Sequence, residues 1–162
     1  MEFLATADDL ARAVDGTLDS TVTTNTMFVF VAAVLVLFMQ AGFAMLEIGF
    51  SRAKNAGTGV AKILTNLSIA AFCYWAVGFA FAFGSADVLG ISSAIIGSNG
   101  FFLQFTGNGQ EAFPVMGLSD ATVEAKWLFQ FAFCAVSLAI VWGSTLERIK
   151  YSAYVILSLI HI

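Results

Sequence analysis

The chain has 162 residues, of which 59% are apolar and only 11% charged, with a formal charge of -4. A soluble domain carries about 25% charged residues, so this chain could not cover its own surface in water, and lipid is the solvent that fits it. No nucleic-acid partner is expected.

Residues 1–25 carry Glu2, Asp8, Asp9, Asp15 and Asp19 against a single Arg12. Phe3, Ala7, Leu10 and Val14 recur at helical spacing, which predicts a short amphipathic helix lying at the membrane surface. The acidic start, and the length of the apolar run behind it, do not fit a signal peptide. Met27 to Leu46 is uncharged and interrupted only by Gln40. About 20 residues at ~1.5 Å each reach the ~30 Å of a hydrocarbon core. Ile63 to Gly84 and Trp127 to Leu146 are further runs of this kind, and a fourth opens at Tyr151. A membrane strand alternates over about 9–11 residues, so continuous runs predict helices. The expected fold is an all-α, polytopic membrane helix bundle with spans over 27–48, 63–84 and 126–146 and part of a fourth over 151–156.

Val88 to Gln110 is also uncharged, but it is crowded with Gly, Ser and Asn, including Gly97, Ser98, Asn99 and Gly100. In lipid so permissive a backbone would leave peptide groups unsatisfied. Residues 85–126 are therefore expected to form a structured external loop whose apolar patches, such as Phe101-Phe102, pack on the bundle. Asp120 then places an acidic group near the positive end of the third helix. Five of the seven Lys and Arg residues, namely Arg52, Lys54, Lys62, Arg148 and Lys150, fall on one side of a three-span chain. The positive-inside rule makes that side cytoplasmic and leaves the N-terminus outside.

Within the spans, Cys73 and Cys134 read as small buried hydrophobes. Gln40 and Asn66 read as amides that hydrogen-bond to neighbouring helices, and Glu47 as part of an interfacial charge cluster with Arg52 and Lys54. No metal site, no cofactor and no enzyme activity are expected, because the spans offer no His, no carboxylate pair and no metal-ligand spacing. The last residues, Leu157 to Ile162, can be encoded by a stretch that spells the transposon end of a common sequencing-library adapter. Residues 157–162 are expected to be adapter sequence, which leaves His161 without a chemical role.

Phe38-Met39-Gln40-Ala41-Gly42-Phe43-Ala44-Met45-Leu46 runs into Arg52-Ala53-Lys54-Asn55. Gly78-Phe79-Ala80-Phe81-Ala82-Phe83-Gly84 follows, and then Leu146-Glu147-Arg148-Ile149-Lys150-Tyr151-Ser152-Ala153. In that order these blocks resemble the first span and first inner loop, the end of the second span, and the turn before the fourth span of the ammonium transporter family. The resemblance covers residues 26–156 as a membrane domain, with 1–25 as an extracytoplasmic N-terminal segment. It implies a parent fold of about eleven spans, in two inverted halves of about five, assembled as a homotrimer in the cell (inner) membrane.

The resemblance further implies transport of ammonium or ammonia, recruited as the cation and conducted after deprotonation. An ammonium sensor, with the same membrane unit fused to a signalling domain, is the alternative. Counting back from the turn at Glu147-Arg148-Ile149, the family's gate phenylalanine falls on Phe133 and a second vestibule aromatic on Phe129. These two share a helix face by their i, i+4 spacing. An aromatic face attracts a cation by about 0.5–2 kcal/mol, enough for a waypoint. Arg52 and Lys54 are candidate contacts for a PII-type regulator on the cytoplasmic side. The family's pore histidines and vestibule tryptophan belong to later spans, so this chain alone is not expected to transport.

Overall fold

The structure is a computed structural model that describes residues 7–85, 96–105, 113–116, 120–145 and 148–161. Its helices are α1 (Ala7–Phe50), α2 (Ala56–Cys73), α3 (Phe79–Phe83), α4 (Val123–Thr145) and α5 (Tyr151–His161). A π-turn, Tyr74–Gly78, joins α2 to α3 without a break. Three helical segments are long and apolar enough to cross a membrane: Leu10–Phe50, Ala53–Phe83 and Val123–Thr145. These are the three spans expected, each somewhat longer than its uncharged run. Polar residues at the ends continue the backbone hydrogen bonding even where the apolar signal stops.

The first segment differs from expectation. It is not a separate surface helix but the opening of α1, a single helix of 44 residues. At ~1.5 Å per residue α1 is ~66 Å long, about twice the hydrocarbon thickness. Phe3 lies outside the described residues, while Leu10 and Val14 are exposed on the projecting part. No Pro or Gly stands between Asn25 and Met27 to break the helix, and Thr21 and Thr24 fold their hydroxyls back onto the carbonyls of Thr17 and Ser20.

α1 packs most extensively against α4. The two run parallel and in register. The Thr122 N–H donates to Thr26 Oγ1 (3.1 Å) at one end, and Glu47 meets the bare Cα of Gly143 at the other. Both pairs are 96 residues apart in sequence. Thr26, Ala33, Gln40 and Glu47 recur every seven residues, and the last three are buried. A seven-residue period is the seam of a left-handed helix pair crossing at about 20°. On α4 the small residues Ala125, Ala132 and Ala139, also seven apart, are buried; such residues let helices approach closely where lipid supplies no hydrophobic drive. Thr122 also caps α4, its Oγ1 accepting from the Ala125 N–H (3.5 Å).

α2 runs antiparallel and buries the stripe Gly59, Ile63, Asn66 and Ala70, followed by Tyr74. Arg52, Lys54, Lys62, Arg148 and Lys150 therefore share one end of the bundle, the basic end. Near it, α5 is tied to α2 by the Tyr154 hydroxyl, which donates to Asn66 Oδ1 at 2.6 Å, and to α4 by Tyr154 packing edge-on to Trp142. Asn66 thus makes the interhelical bond expected of it. Gln40 does not: it is buried, yet its Nε2 has no hydrogen-bond partner. Cys73 and Cys134 are free thiols, half-buried rather than fully so.

At the opposite, loop end, Phe101 packs on Phe81 and Phe102 on Trp75, both rings edge-on at 5.2 Å. The loop thus docks on the bundle as expected, although residues 86–95 and 106–112 lie outside the described part. Gly97 N–H donates to the Phe81 carbonyl (2.9 Å) and Ser98 N–H to the Ser85 carbonyl (3.1 Å). A Cβ on Gly97 would collide with the Ala80 carbonyl oxygen. Gly100 takes φ +83, and Phe102 and Leu103 also sit at positive φ (57° and 54°), a strained state for non-glycine residues that the ring contacts hold in place. Phe113, fully buried, closes this end against Phe79 at 4.9 Å and Phe105 at 5.5 Å.

Two substitutions probe these contacts. Gly97→Ala is expected to cost about 1–3 kcal/mol by overpacking and to open the 96–105 segment to protease. An unchanged thermal midpoint in detergent, with the loop still protected, would refute the close docking. Tyr154→Phe leaves the buried Asn66 carbonyl unpaired and is expected to cost about 0.6–1.7 kcal/mol, the range of interhelical hydrogen bonds in membranes. That loss should appear in denaturant unfolding and be smaller in the double variant with Asn66→Leu.

Candidate functional site

Four aromatic residues alternate along the first turns of α4: Trp127, Phe129, Phe131 and Phe133. Two residues advance a helix by about 200°, so the four divide into two i, i+4 pairs on opposite faces. Trp127 and Phe131 stack almost parallel, 5.5 Å apart at 8°, with Phe131 in the core beside Ala70, Tyr74 and Phe79. Phe129 and Phe133 form the other pair, edge to face at 5.0 Å and 69°. The structure therefore brings the two residues singled out by the sequence into one unit. Phe133 is 47% exposed, so part of its ring remains open to whatever passes along this flank.

The flank continues toward the basic end. Ile140 lies seven residues beyond Phe133 and is 57% exposed. A turn later the flank reaches a cavity of about 240 Å³, lined by Ala139, Ile140, Gly143 and Ser144 of α4 and by Phe43, Leu46, Glu47 and Phe50 of α1. From Phe133 to Gly143 the helix rises ~15 Å. One helix face thus leads from the aromatic pair to the cavity, apolar except at Ser137, whose hydroxyl donates to the Cys134 carbonyl (2.8 Å), and at Glu47 and Ser144 by the cavity.

Glu47 departs from its expected place. It is not at a solvated interface but buried, only 5% exposed, and its Oε2 has no hydrogen-bond partner. The seven-residue seam causes this, since the period that buries Ala33 and Gln40 also turns Glu47 toward α4. A Cβ on Gly143 would stand 3.1 Å from Glu47 Oε1, so a glycine there makes room for the carboxyl group. The next residue back, Trp142, is buried with its Nε1 unpartnered. The Lys62 ammonium sits 4.3 Å from the Trp142 ring, a cation–π contact.

Arg52 and Lys54 lie elsewhere, exposed in the turn Ala53–Asn55 and the residue before it. They lie at the basic end and are not among the residues of the α4 flank. Lys126 is a residue that sequence reasoning missed. It is buried at the loop end, where its ammonium donates to the Met116 carbonyl at 2.6 Å and so holds the Pro114–Met116 turn against α4. No sequence signal marks this contact, because the acceptor is a main-chain carbonyl ten residues away. Among the described residues no group of three or more His, Cys, Asp or Glu side chains could hold a metal ion.

The sequence of this chain is similar to those of known proteins. The chain is 43% identical over 124 residues to the ammonium transporter Amt2 of Archaeoglobus fulgidus, covering 76% of this chain and 23% of that protein. It is 40% identical over 134 residues to a putative ammonium transporter of Synechocystis, covering 83% of this chain and 28% of the relative. Against the ammonium transporter Amt2 of Methanocaldococcus jannaschii it is 36% identical over 165 residues, covering 98% of this chain and 36% of that protein. The chain thus spans about a quarter to a third of the length of these relatives. No solved structure matches it. The model of the Ammonium Transporter Family matches residues 27–162, most of the sequence and all the complete spans, and the chain belongs to that family.

Proposed function

We propose that the whole protein carries ammonium or ammonia across the membrane along the exposed flank of α4. The observation that carries this reading is the Phe129–Phe133 pair, held edge to face with Phe133 half open, on a chain of the ammonium transporter family. Moving a bare cation into hydrocarbon is costly. A pore meets that cost in stages, first by exchanging water for weakly attracting groups and then by removing the charge. Aromatic faces suit the first stage, because an attraction of about 0.5–2 kcal/mol recruits a cation without trapping it. The apolar wall beyond Phe133 suits passage of the neutral form, deprotonated by groups outside this chain.

The same reading sets the orientation. The basic end, with Arg52, Lys54, Lys62, Arg148 and Lys150, faces the cytoplasm and the loop end faces out, which puts the N-terminus outside an inner membrane. The projecting part of α1, acidic and without a docking partner on the bundle, lies in the external medium. The largely exposed apolar surface of α1, including Phe28, Phe38 and Met45, fits contact with lipid and with further helices of a homotrimer. Arg52 and Lys54, exposed at the cytoplasmic turn, offer a PII-type regulator a basic contact.

Phe133→Ala in the whole protein tests the path. It is expected to change uptake of a methylammonium tracer at least about fivefold and to admit competing monovalent cations more readily. Wild-type uptake and selectivity in a correctly inserted Phe133→Ala variant would refute the gate role. Phe131→Ala, on the core face, should instead lower stability.

A further inference from the structure

The cytoplasmic end of the α4 flank holds a buried carboxylate that recruitment at the aromatic pair does not use. Glu47 is 95% buried, given its 5% exposure, and lines the cavity between α1 and α4. Its Oε2 is without a hydrogen-bond partner. The other cavity walls cannot supply one. Phe43, Leu46, Phe50, Ala139 and Ile140 are apolar, and the Ser144 hydroxyl already donates to the Val141 carbonyl at 2.8 Å. The Trp142 indole N–H stands beside the carboxyl group and acts on it as a donor, though outside full hydrogen-bond geometry, and Oε2 is still left without one. A buried carboxylate oxygen with no donor is costly, so the site favours an occupant that brings positive charge and N–H or O–H donors.

The kind of occupant follows from the walls. One carboxylate among apolar side chains does not provide the six to eight oxygen ligands of a calcium site, nor the octahedral shell of magnesium. It does suit a small monovalent cation rich in donors. A cavity of about 240 Å³ holds such an ion, roughly the size of a water molecule at ~30 Å³, with a few waters beside it. An ammonium group is already seated close by, since Lys62 lies over the ring of Trp142, which stands next to Gly143.

We infer that Glu47, backed by Gly143 and facing the α1–α4 cavity, forms a cation subsite at the cytoplasmic mouth of the path, where an ammonium-class cation is held as it leaves or re-enters. The inference rests on the α4 flank being the path, because that face leads from Phe133 to Ile140 and the cavity. Gly143 acts by position: its missing Cβ leaves room for the carboxyl group to sit between the helices. Glu47 would touch the substrate itself.

The experiment uses the whole protein in inside-out membrane vesicles, with labelled methylammonium as the probe. Glu47→Gln keeps the size and packing of the side chain against Gly143 and removes only the charge. It is expected to raise the half-saturating methylammonium concentration at the cytoplasmic face about tenfold, and that at the opposite face less than about twofold. Glu47→Asp, which keeps the charge, should recover most of the affinity. Wild-type half-saturation at both faces in Glu47→Gln would overturn the subsite and make water the occupant. Should Glu47→Gln fail to reach the membrane, Glu47→Asp carries the test, with a rise of about threefold expected and no change overturning the inference. Phe133→Ala, run in parallel, separates the two readings. A harmless Phe133→Ala with a shifted Glu47→Gln sinks the path and keeps the cation site, whereas the reverse keeps the path and removes the site.

Discussion

The parallel pairing of α1 with α4 is the constraint on which the other features depend. Lipid is as apolar as leucine, so two helices in a membrane gain little from burying greasy surface and must gain from close approach instead. Here approach comes from Ala125, Ala132, Ala139 and Gly143 on α4, and from Ala33 at the centre of the α1 stripe. The Thr26–Thr122 hydrogen bond at one end and the Glu47–Gly143 contact at the other fix the register over 21 residues of each helix (26 to 47 and 122 to 143). At ~1.5 Å per residue that length is ~32 Å, the thickness of a hydrocarbon core. Once these two helices are parallel and level, the connecting helix must run the other way. The basic turns then fall together, and the aromatic pair on α4 is held off the core and near the opposite end.

Polar groups inside such a bundle divide into two kinds. Asn66 with Tyr154, and Lys126 with the Met116 carbonyl, are satisfied pairs that join separate segments of the chain. Interhelical bonds of this sort average about 0.6 kcal/mol in membranes, because the separated helices also find partners. They determine which surfaces meet more than how firmly. Gln40 Nε2, Glu47 Oε2 and Trp142 Nε1 are the second kind, buried without partners. Two of the three, Gln40 and Glu47, lie on the one stripe of α1 that faces α4. A stripe with Thr26, Gln40 and Glu47 at three of its four positions is more polar than packing alone requires. Intramembrane polar groups of that kind face the interior or a water-filled path.

Much of this was legible in the residues, for reasons of scale. A span requires about 20 apolar residues in a row, so Met27–Leu46, Ile63–Gly84 and Trp127–Leu146 declared themselves. The glycine-rich stretch around Gly97 and Gly100 argued against a further span, and the ring contacts of Phe101 and Phe102 bear this out within the described residues. The pairing of Phe129 with Phe133 followed from helical spacing. What stayed hidden depends on register between helices. The burial of Glu47 becomes readable only when the seven-residue line through Thr26, Ala33 and Gln40 is drawn, and a charged residue four positions from the end of a span reads by default as interfacial. The continuity of α1 was obscured by its acidic opening, which looks like a separate surface helix although no residue there breaks one. Lys126 gave no sign at all, its partner being a backbone carbonyl.

A conducting path must bind its substrate well enough to admit it and weakly enough to release it. On the path proposed here, the two ends of the α4 flank would meet that requirement with different chemistry. At the loop end Phe129 and Phe133 offer only ring faces, whose attraction for a cation is about 0.5–2 kcal/mol. At the basic end a full carboxylate in a dry cavity would by itself be a trap, since charge attraction strengthens as the dielectric falls. Two features moderate it. Gly143 is exposed beside the carboxyl group, so water reaches the cavity from the basic end. Lys62, over the ring of Trp142, brings a fixed positive charge to the same end of the bundle and reduces the net field a cation meets. A carboxylate partly offset in this way holds a cation briefly in a place where it would otherwise step from an apolar wall straight into bulk water.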